Sequence, residues 1–329
     1  MKKNAKYIKF FLSLVLAAGI GGVIFIPRQT MNAVSADQAE KVYTEVHGER
    51  DLPYLVNNIH KLERPYNYII GKTKYLWIEI LGYLLTLGVF FGVMGHALLR
   101  VFFNYKNQKA QPFQYVHKGE DFIYDGIIRT GHWLNALFII TLIVTGFTMH
   151  YSGPSHVLGY LHNMTGISLT VLYIFFLIHA VVRLDYKQYF PGIKEILSGQ
   201  LVKDLIKNGM FYLHGIFVGT KNPFHSSHEH RLMPIQKVSY MMAMYVQVPL
   251  VVITGVVLVD PANLPFVVSL IGMENMNFVF IVHLLAAFTV FMFLIIHLYM
   301  ITAGDKIAQH LMTMVTGYHK TYDKKEISK

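Results

Sequence analysis

An all-α integral membrane protein is expected from three features of this 329-residue chain. Only 15% of its residues are charged, where soluble globular chains average about 25%. Hydrophobic residues make up 53%, with a mean hydropathy of +0.40. Beyond an N-terminal targeting segment, five apolar stretches are each long enough to span roughly 30 Å of hydrocarbon. The stretches are continuous and do not alternate, which rejects a membrane β-barrel. The same composition excludes a disordered chain, a coiled coil and an ordinary cytosolic enzyme. There is no Cys, so disulfides, thiolate zinc sites and iron–sulfur clusters held by this chain are excluded. The net charge of +10 reads as the basic residues of cytoplasmic loops, and no nucleic-acid partner is expected.

Residues 1–36 read as a signal peptide. Lys2, Lys3, Lys6 and Lys9 precede an apolar run from Phe10 to Ile26, and Ala33-Val34-Ser35-Ala36 supplies the small residues of a cleavage site after Ala36. The other reading is an uncleaved anchor helix; both leave residue 37 outside the cytoplasm. Residues 37–74 are polar, are broken by Pro53 and Pro65, and read as an exported segment. A first mature membrane helix is expected over 75–103, then a cytoplasmic connection over 104–131. A four-helix core occupies 132–302, with apolar stretches at 132–152, 162–184, 238–259 and 278–302. Pro249 would kink the third of these without stopping it from spanning. Residues 303–329 read as a basic cytoplasmic tail.

Loop charge sets the orientation. The connections 103–131 and 185–237 and the tail carry Lys and Arg throughout, whereas 153–161 and 260–277 carry none. The positive-inside rule places the basic segments in the cytoplasm. Helix directions then alternate consistently in a multi-pass protein of the bacterial cytoplasmic (inner) membrane, with the mature N-terminus outside and the C-terminus inside.

The chain has 17 His, and an ionisable side chain at bilayer depth is a functional hypothesis by default. His283 and His297 lie on the last apolar stretch. Fourteen residues of helix separate them by roughly 21 Å along the axis and only about 40° in azimuth. Both face one side, one near each membrane surface, which suits two stacked haems. Each haem needs a second axial ligand. His132 opens the stretch that starts at the cytoplasmic side, and His162 opens the one that starts outside. Depth matching pairs His162 with His283 near the outer face and His132 with His297 near the inner face. Two nitrogen ligands per iron leave no open position, so such a centre passes single electrons and does not bind oxygen.

The plainer reading of any one of these His is a hydrogen bond to a neighbouring helix. It weakens for four at matching depths on three helices. His179, also at cytoplasmic depth, is the rival to His132. His96 reads as a packed polar residue, His150 and His156 as interfacial, and His225, His228 and His230 as a solvated turn. Gly131, Gly146, Gly166, Ala286 and Ala287 permit close approach to a flat macrocycle, as small residues do in any membrane bundle. Arg129 and Arg183 suit haem propionates and snorkelling to lipid phosphate equally well.

On these residues the chain resembles the cytochrome b (gamma) subunit of respiratory formate dehydrogenase. Arg129-Thr130-Gly131-His132-Trp133 is similar to the Arg-x-x-His-Trp that opens that family's first haem helix. Leu161-His162-Asn163-Met164-Thr165-Gly166 is similar to its Leu-His-Pro-x-x-Gly. Thr254-Gly255 matches a Thr-Gly late in its third helix, and His283 through His297-Leu298-Tyr299-Met300 resembles its last helix. The resemblance covers about 120–320, and its motifs also occur in the cytochrome b subunits of nickel–iron hydrogenase and thiosulfate reductase. It implies two haem b, the outer held by His162 and His283 and the inner by His132 and His297. It also implies a catalytic alpha subunit that oxidises formate at molybdenum or tungsten, an iron–sulfur beta subunit that relays the electrons, and menaquinone as acceptor in anaerobic respiration.

There are two departures. The family's Asn-Ala-Gly-Gln-Lys before the third helix is Met233-Pro234-Ile235-Gln236-Lys237 here. Gln236, Lys237 and Asp305 are the quinone-side candidates, with a surface Lys–Asp pair as the plainer reading. The exported segment and first mature helix are additional to the family's core, and that helix would dock or replace a partner's membrane anchor. The rival readings are a cytochrome b subunit of nickel–iron hydrogenase or thiosulfate reductase, and a haem-free transporter with proton-relay histidines. Against the transporter, no internal repeat and no pair of broken helices is visible.

Overall fold

The computed structural model describes residues 76–152, 156–183, 186–227, 230–259 and 276–327. The expected signal peptide and exported segment lie outside the described residues, as do most of 260–277 and the side chains of His156 and His228.

Five described helices are long and apolar enough to cross a membrane: Ile78–Ala110, Gly126–His150, Val157–Val182, Pro234–Leu258 and Phe278–Met300. In chain order, α1 (Leu76–Ala110) leads through β1 (Phe113–Phe122) into α2 (Gly126–Ser152) and α3 (His156–Val182). Short helices α4 (Tyr186–Tyr189), α5 (Ile193–Leu197), α6 (Gln200–Met210) and α7 (Ile216–Val218) follow. The next span is built from α8 (Pro234–Met242) and α9 (Val248–Val259), joined by a π-helical turn at Ala243–Gln247. Then come α10 (Met276–Met300), α11 (Gln309–Thr316) and β2 (Tyr318–Glu326).

Two helix starts differ from expectation. The Asp125 carboxylate accepts the Ile128 N–H at 2.9 Å and caps α2, whose first residue lies six before His132. Helix α3 likewise begins six residues before His162. Neither His opens its helix; both lie nearly two turns inside. Helix α1 also runs to Ala110, beyond the expected end, because Asn107 Nδ2 reaches the Phe217 carbonyl at 2.8 Å and gives the polar last turns a partner.

Pro249 disturbs its helix just upstream. A proline removes one backbone donor and crowds the preceding turn. The chain absorbs this in the wide turn over Ala243–Gln247. There the Tyr173 hydroxyl of α3 donates to the Met244 carbonyl at 2.7 Å.

The connection and the tail, expected as loops, pair as a two-stranded antiparallel sheet running from Phe113↔Glu326 to Phe122↔Tyr318. Side-chain pairs close it: Phe122 on Tyr318 at 5.2 Å between ring centroids, and Lys324 over the Phe113 ring at 4.0 Å. Aromatic residues recur in both segments, at Phe113, Tyr115 and Phe122 and at Tyr318 and Tyr322. The sheet lies at the basic end of the bundle and adds a small β element to a mostly helical membrane fold.

Helix α1 is fastened to the core by packing and by polar ties. Gly82 lies flat against Phe288, where a Cβ would stand 2.6 Å from the ring, and Tyr83 meets the same ring edge-on. Glu79 and His150, both buried, approach to 3.4 Å, with His150 in the last turn of α2. His96 is the packed polar residue anticipated: its Nδ1 contacts the Tyr299 hydroxyl and its Nε2 the Tyr212 carbonyl at 2.8 Å. Arg100 donates to the Thr302 carbonyl at 2.8 Å. Gly82→Val is therefore expected to force α1 away from α10 at a cost of about 1–3 kcal/mol. Thermal unfolding in detergent checks this; an unchanged midpoint would count against the packing.

Candidate functional site

The four intramembrane histidines meet in two pairs. His162 of α3 faces His283 of α10 with ring centroids 6.4 Å apart, toward the end of the bundle far from the basic segments. His132 of α2 faces His297 of α10 at 6.1 Å, toward the basic end. Two imidazoles on opposite sides of one metal, each with a nitrogen about 2 Å from it, would stand roughly 6 Å apart between centroids. Both pairs have that spacing, and the donor set is all imidazole.

The far pair is oriented by two threonines. Thr145 Oγ1 donates to the Thr141 carbonyl at 2.7 Å and lies 2.9 Å from His162 Nδ1. Thr254 Oγ1 donates to the Leu250 carbonyl at 2.6 Å and lies 2.9 Å from His283 Nδ1. Each hydroxyl has committed its proton to its own helix, so it accepts from Nδ1–H and leaves the Nε2 lone pair free for a metal. The glycine after each threonine makes room. A Cβ on Gly146 would stand 3.1 Å from His162 Cε1, and one on Gly255 3.3 Å from His283 Cε1.

The pair at the basic end is held differently. His297 Nδ1 meets the Tyr240 hydroxyl at 3.2 Å, and Phe293 stacks one turn away on the same helix. His132 Nδ1 is buried with no hydrogen-bond partner, although buried polar atoms are rarely left unmatched.

Residues 123–317 match a family model described as prokaryotic cytochrome b561. The chain belongs to the prokaryotic cytochrome b561 family. It is also 28% identical over 250 residues to "Putative cytochrome YdhU" of Escherichia coli (strain K12), a match covering 74% of this chain and 89% of that protein. No solved structure matches. A cytochrome b561 family implies haem b and electron transfer in a multi-pass membrane protein. It does not single out formate dehydrogenase, and it gives no support to a haem-free transporter. Helix α1 lies outside the residues that match the cytochrome b561 model.

The remaining candidates are dispersed. His179, the rival to His132, packs tilted against Phe175 and edge-on against Phe176 of its own helix, and it is His132 that faces His297. Arg129 donates to the Val315 carbonyl, and Arg183 pairs with Asp125 at 3.6 Å, so both also have protein partners at the basic end. The Gln236 side chain accepts the Met233 N–H at 3.2 Å as part of the α8 cap. Lys237 pairs with Glu195 at 3.6 Å, so its carboxylate partner is not Asp305. Asp305 lies among Lys221, His225 and Asp323, and burial raises its carboxyl pKa. The sequence reading missed Thr145, Tyr240 and Glu79. Thr145-Gly146 repeats Thr254-Gly255, the available signal, but the threonine-to-histidine separations of 17 and 29 residues hide the repeat.

The basic end also holds a pH-sensitive contact between α11 and β2. His310 stacks on His319 at 5.7 Å, and the hydroxyl of Thr313 and the amide of Gln309 lie beside the His319 ring. Burial pushes His310 down to about 4, helped by His319 and Arg100. Burial also lowers His319, with Asp121 opposing. The folded state keeps these rings neutral where the unfolded chain would protonate them. Their contribution to stability is thus present above about 6.5 and is lost as pH falls towards about 4. The unfolding midpoint should drop across that window, and His310→Gln should flatten the drop; an identical pH profile in the variant would show that His310 plays no part.

Proposed function

We propose that this chain carries electrons across the membrane as the cytochrome b subunit of a respiratory oxidoreductase complex, from a donor subunit on the exported side to a quinone on the cytoplasmic side. The observation that carries this reading is the pair of facing imidazole couples, one toward each end of the bundle, their α10 members fourteen residues apart. His162 with His283 would hold the outer haem b, and His132 with His297 the inner one. When bound, each haem supplies a one-electron couple with no position open to oxygen. The chain's own part is to fix the imidazoles, exclude water with an apolar wall and keep the two sites at opposite membrane depths.

For the partners we follow the resemblance to the formate dehydrogenase gamma subunit: an iron–sulfur beta subunit as immediate donor, a molybdenum or tungsten alpha subunit that oxidises formate, and menaquinone as acceptor. Electron entry outside with proton uptake inside would contribute to the membrane potential, where each charge moved is worth about 2.3 kcal/mol per 100 mV. A pyridine haemochrome assay per mole of purified polypeptide tests the core of this reading. Two b haems with a low-spin spectrum unresponsive to carbon monoxide are expected; one haem or none would reject it. Formate-dependent menaquinone reduction by the co-purified complex tests the choice of donor.

A further inference from the structure

The two imidazole pairs are not held alike. At the far pair both Nδ1–H groups are donated to hydroxyls, each at 2.9 Å. Each hydroxyl is pinned by a bond of 2.6–2.7 Å to its own helix carbonyl, so its single proton is already used. Thr145 and Thr254 are themselves buried. The arrangement is built twice, by Thr145-Gly146 on α2 against His162 and by Thr254-Gly255 on α9 against His283. At the basic-end pair only His297 has a hydroxyl neighbour, the longer Tyr240 contact at 3.2 Å, and His132 Nδ1 has none.

We infer that Thr145 and Thr254 are matched positioning residues that strengthen the imidazole ligands of the far centre and make it the more reducing of the two. The inference rests on the reading that each imidazole pair holds one b haem. A firm Nδ1–H···O bond raises the basicity of the ligating Nε2. A more basic ligand favours the oxidised metal, because that state carries the extra positive charge; hydrogen bonding around the ligands is one of the protein's levers on a haem potential. Two such bonds act at the far centre and at most one weaker bond at the other. An electron is therefore released from the far centre toward the basic end, the direction that delivery to a cytoplasmic quinone requires. The glycine beside each threonine serves the same arrangement, since a side chain there would press on Cε1 of the imidazole.

The test is redox potentiometry on the purified full-length chain, read by absorbance and by electron paramagnetic resonance. His297→Ala, which leaves only the far centre, assigns the two midpoints. The wild type is expected to show the lower midpoint at the far centre. A Thr145→Val/Thr254→Val variant keeps the side-chain shape but removes the acceptors. With the hydroxyls gone and only the Leu142 and Val251 carbonyls left beside the rings, it should shift that midpoint upward and change its resonance signature, leaving the basic-end midpoint in place. Thr145→Ser/Thr254→Ser keeps the hydroxyls and should behave as wild type. Loss of the far haem in the valine variant but not in the serine variant would equally support a hydroxyl role. An unmoved midpoint in a valine variant with full haem content, a higher far-centre midpoint in the wild type, or equal haem loss in both variants would overturn it. A wild type with fewer than two haems would instead reject the dihaem reading itself.

Discussion

On the proposed dihaem reading, replacing His297 with Ala is expected to remove one haem and to abolish quinone reduction while leaving the other haem in place. His297 faces His132 at 6.1 Å between ring centroids. The far pair shares only helix α10 with it, fourteen residues away and roughly 21 Å along the axis. Its orientation depends on Thr145 and Thr254, neither of which touches His297. Haem content per polypeptide should fall to half, with the remaining spectrum still low-spin. His283→Ala should mirror this result, sparing the basic-end centre and blocking electron entry. Retention of both haems in His297→Ala would sink the pairing; loss of both would show that the sites are not independent.

Glu79→Ala is expected to loosen α1 from the core. Glu79 and His150 are both buried at the far end of the bundle. Truncating Glu79 withdraws a polar partner from a largely buried site, a change that costs about 1–3 kcal/mol. Glu79→Gln retains a polar group of the same length and should lose less. Helix α1 lies outside the residues that carry the family match, so haem content should stay at the wild-type value while the unfolding midpoint in detergent falls. A variant as stable as the wild type would show that the contact contributes nothing. The same ties bear on the role of this helix. His96, Arg100 and Gly82 hold it to α10 and its flanks, so deleting residues 37–103 should weaken the bundle as well as any docking of a partner.

The membrane spans and the shared face of His283 and His297 were legible because both depend on local periodicity. A lipid-facing helix must be continuously apolar over a fixed length. A fourteen-residue spacing returns a helical side chain to nearly the same face. Helix ends were less legible. Asp125 caps α2 well before the apolar stretch begins, and a reading that follows apolar residues starts too late. The strands were read as loops because each is half a sheet whose partner lies about 200 residues away.

What the sequence alone determined was the mostly helical membrane fold, the family-level function and the four histidines at two depths. The tertiary structure decided what each of those side chains meets: threonine hydroxyls for His162 and His283, a tyrosine for His297, a buried glutamate for His150, and a tail strand for the first connection. These contacts join helices far apart in sequence. The free energy of a polar group in an apolar bundle depends on the one neighbour within about 3 Å, which no period along a single helix specifies.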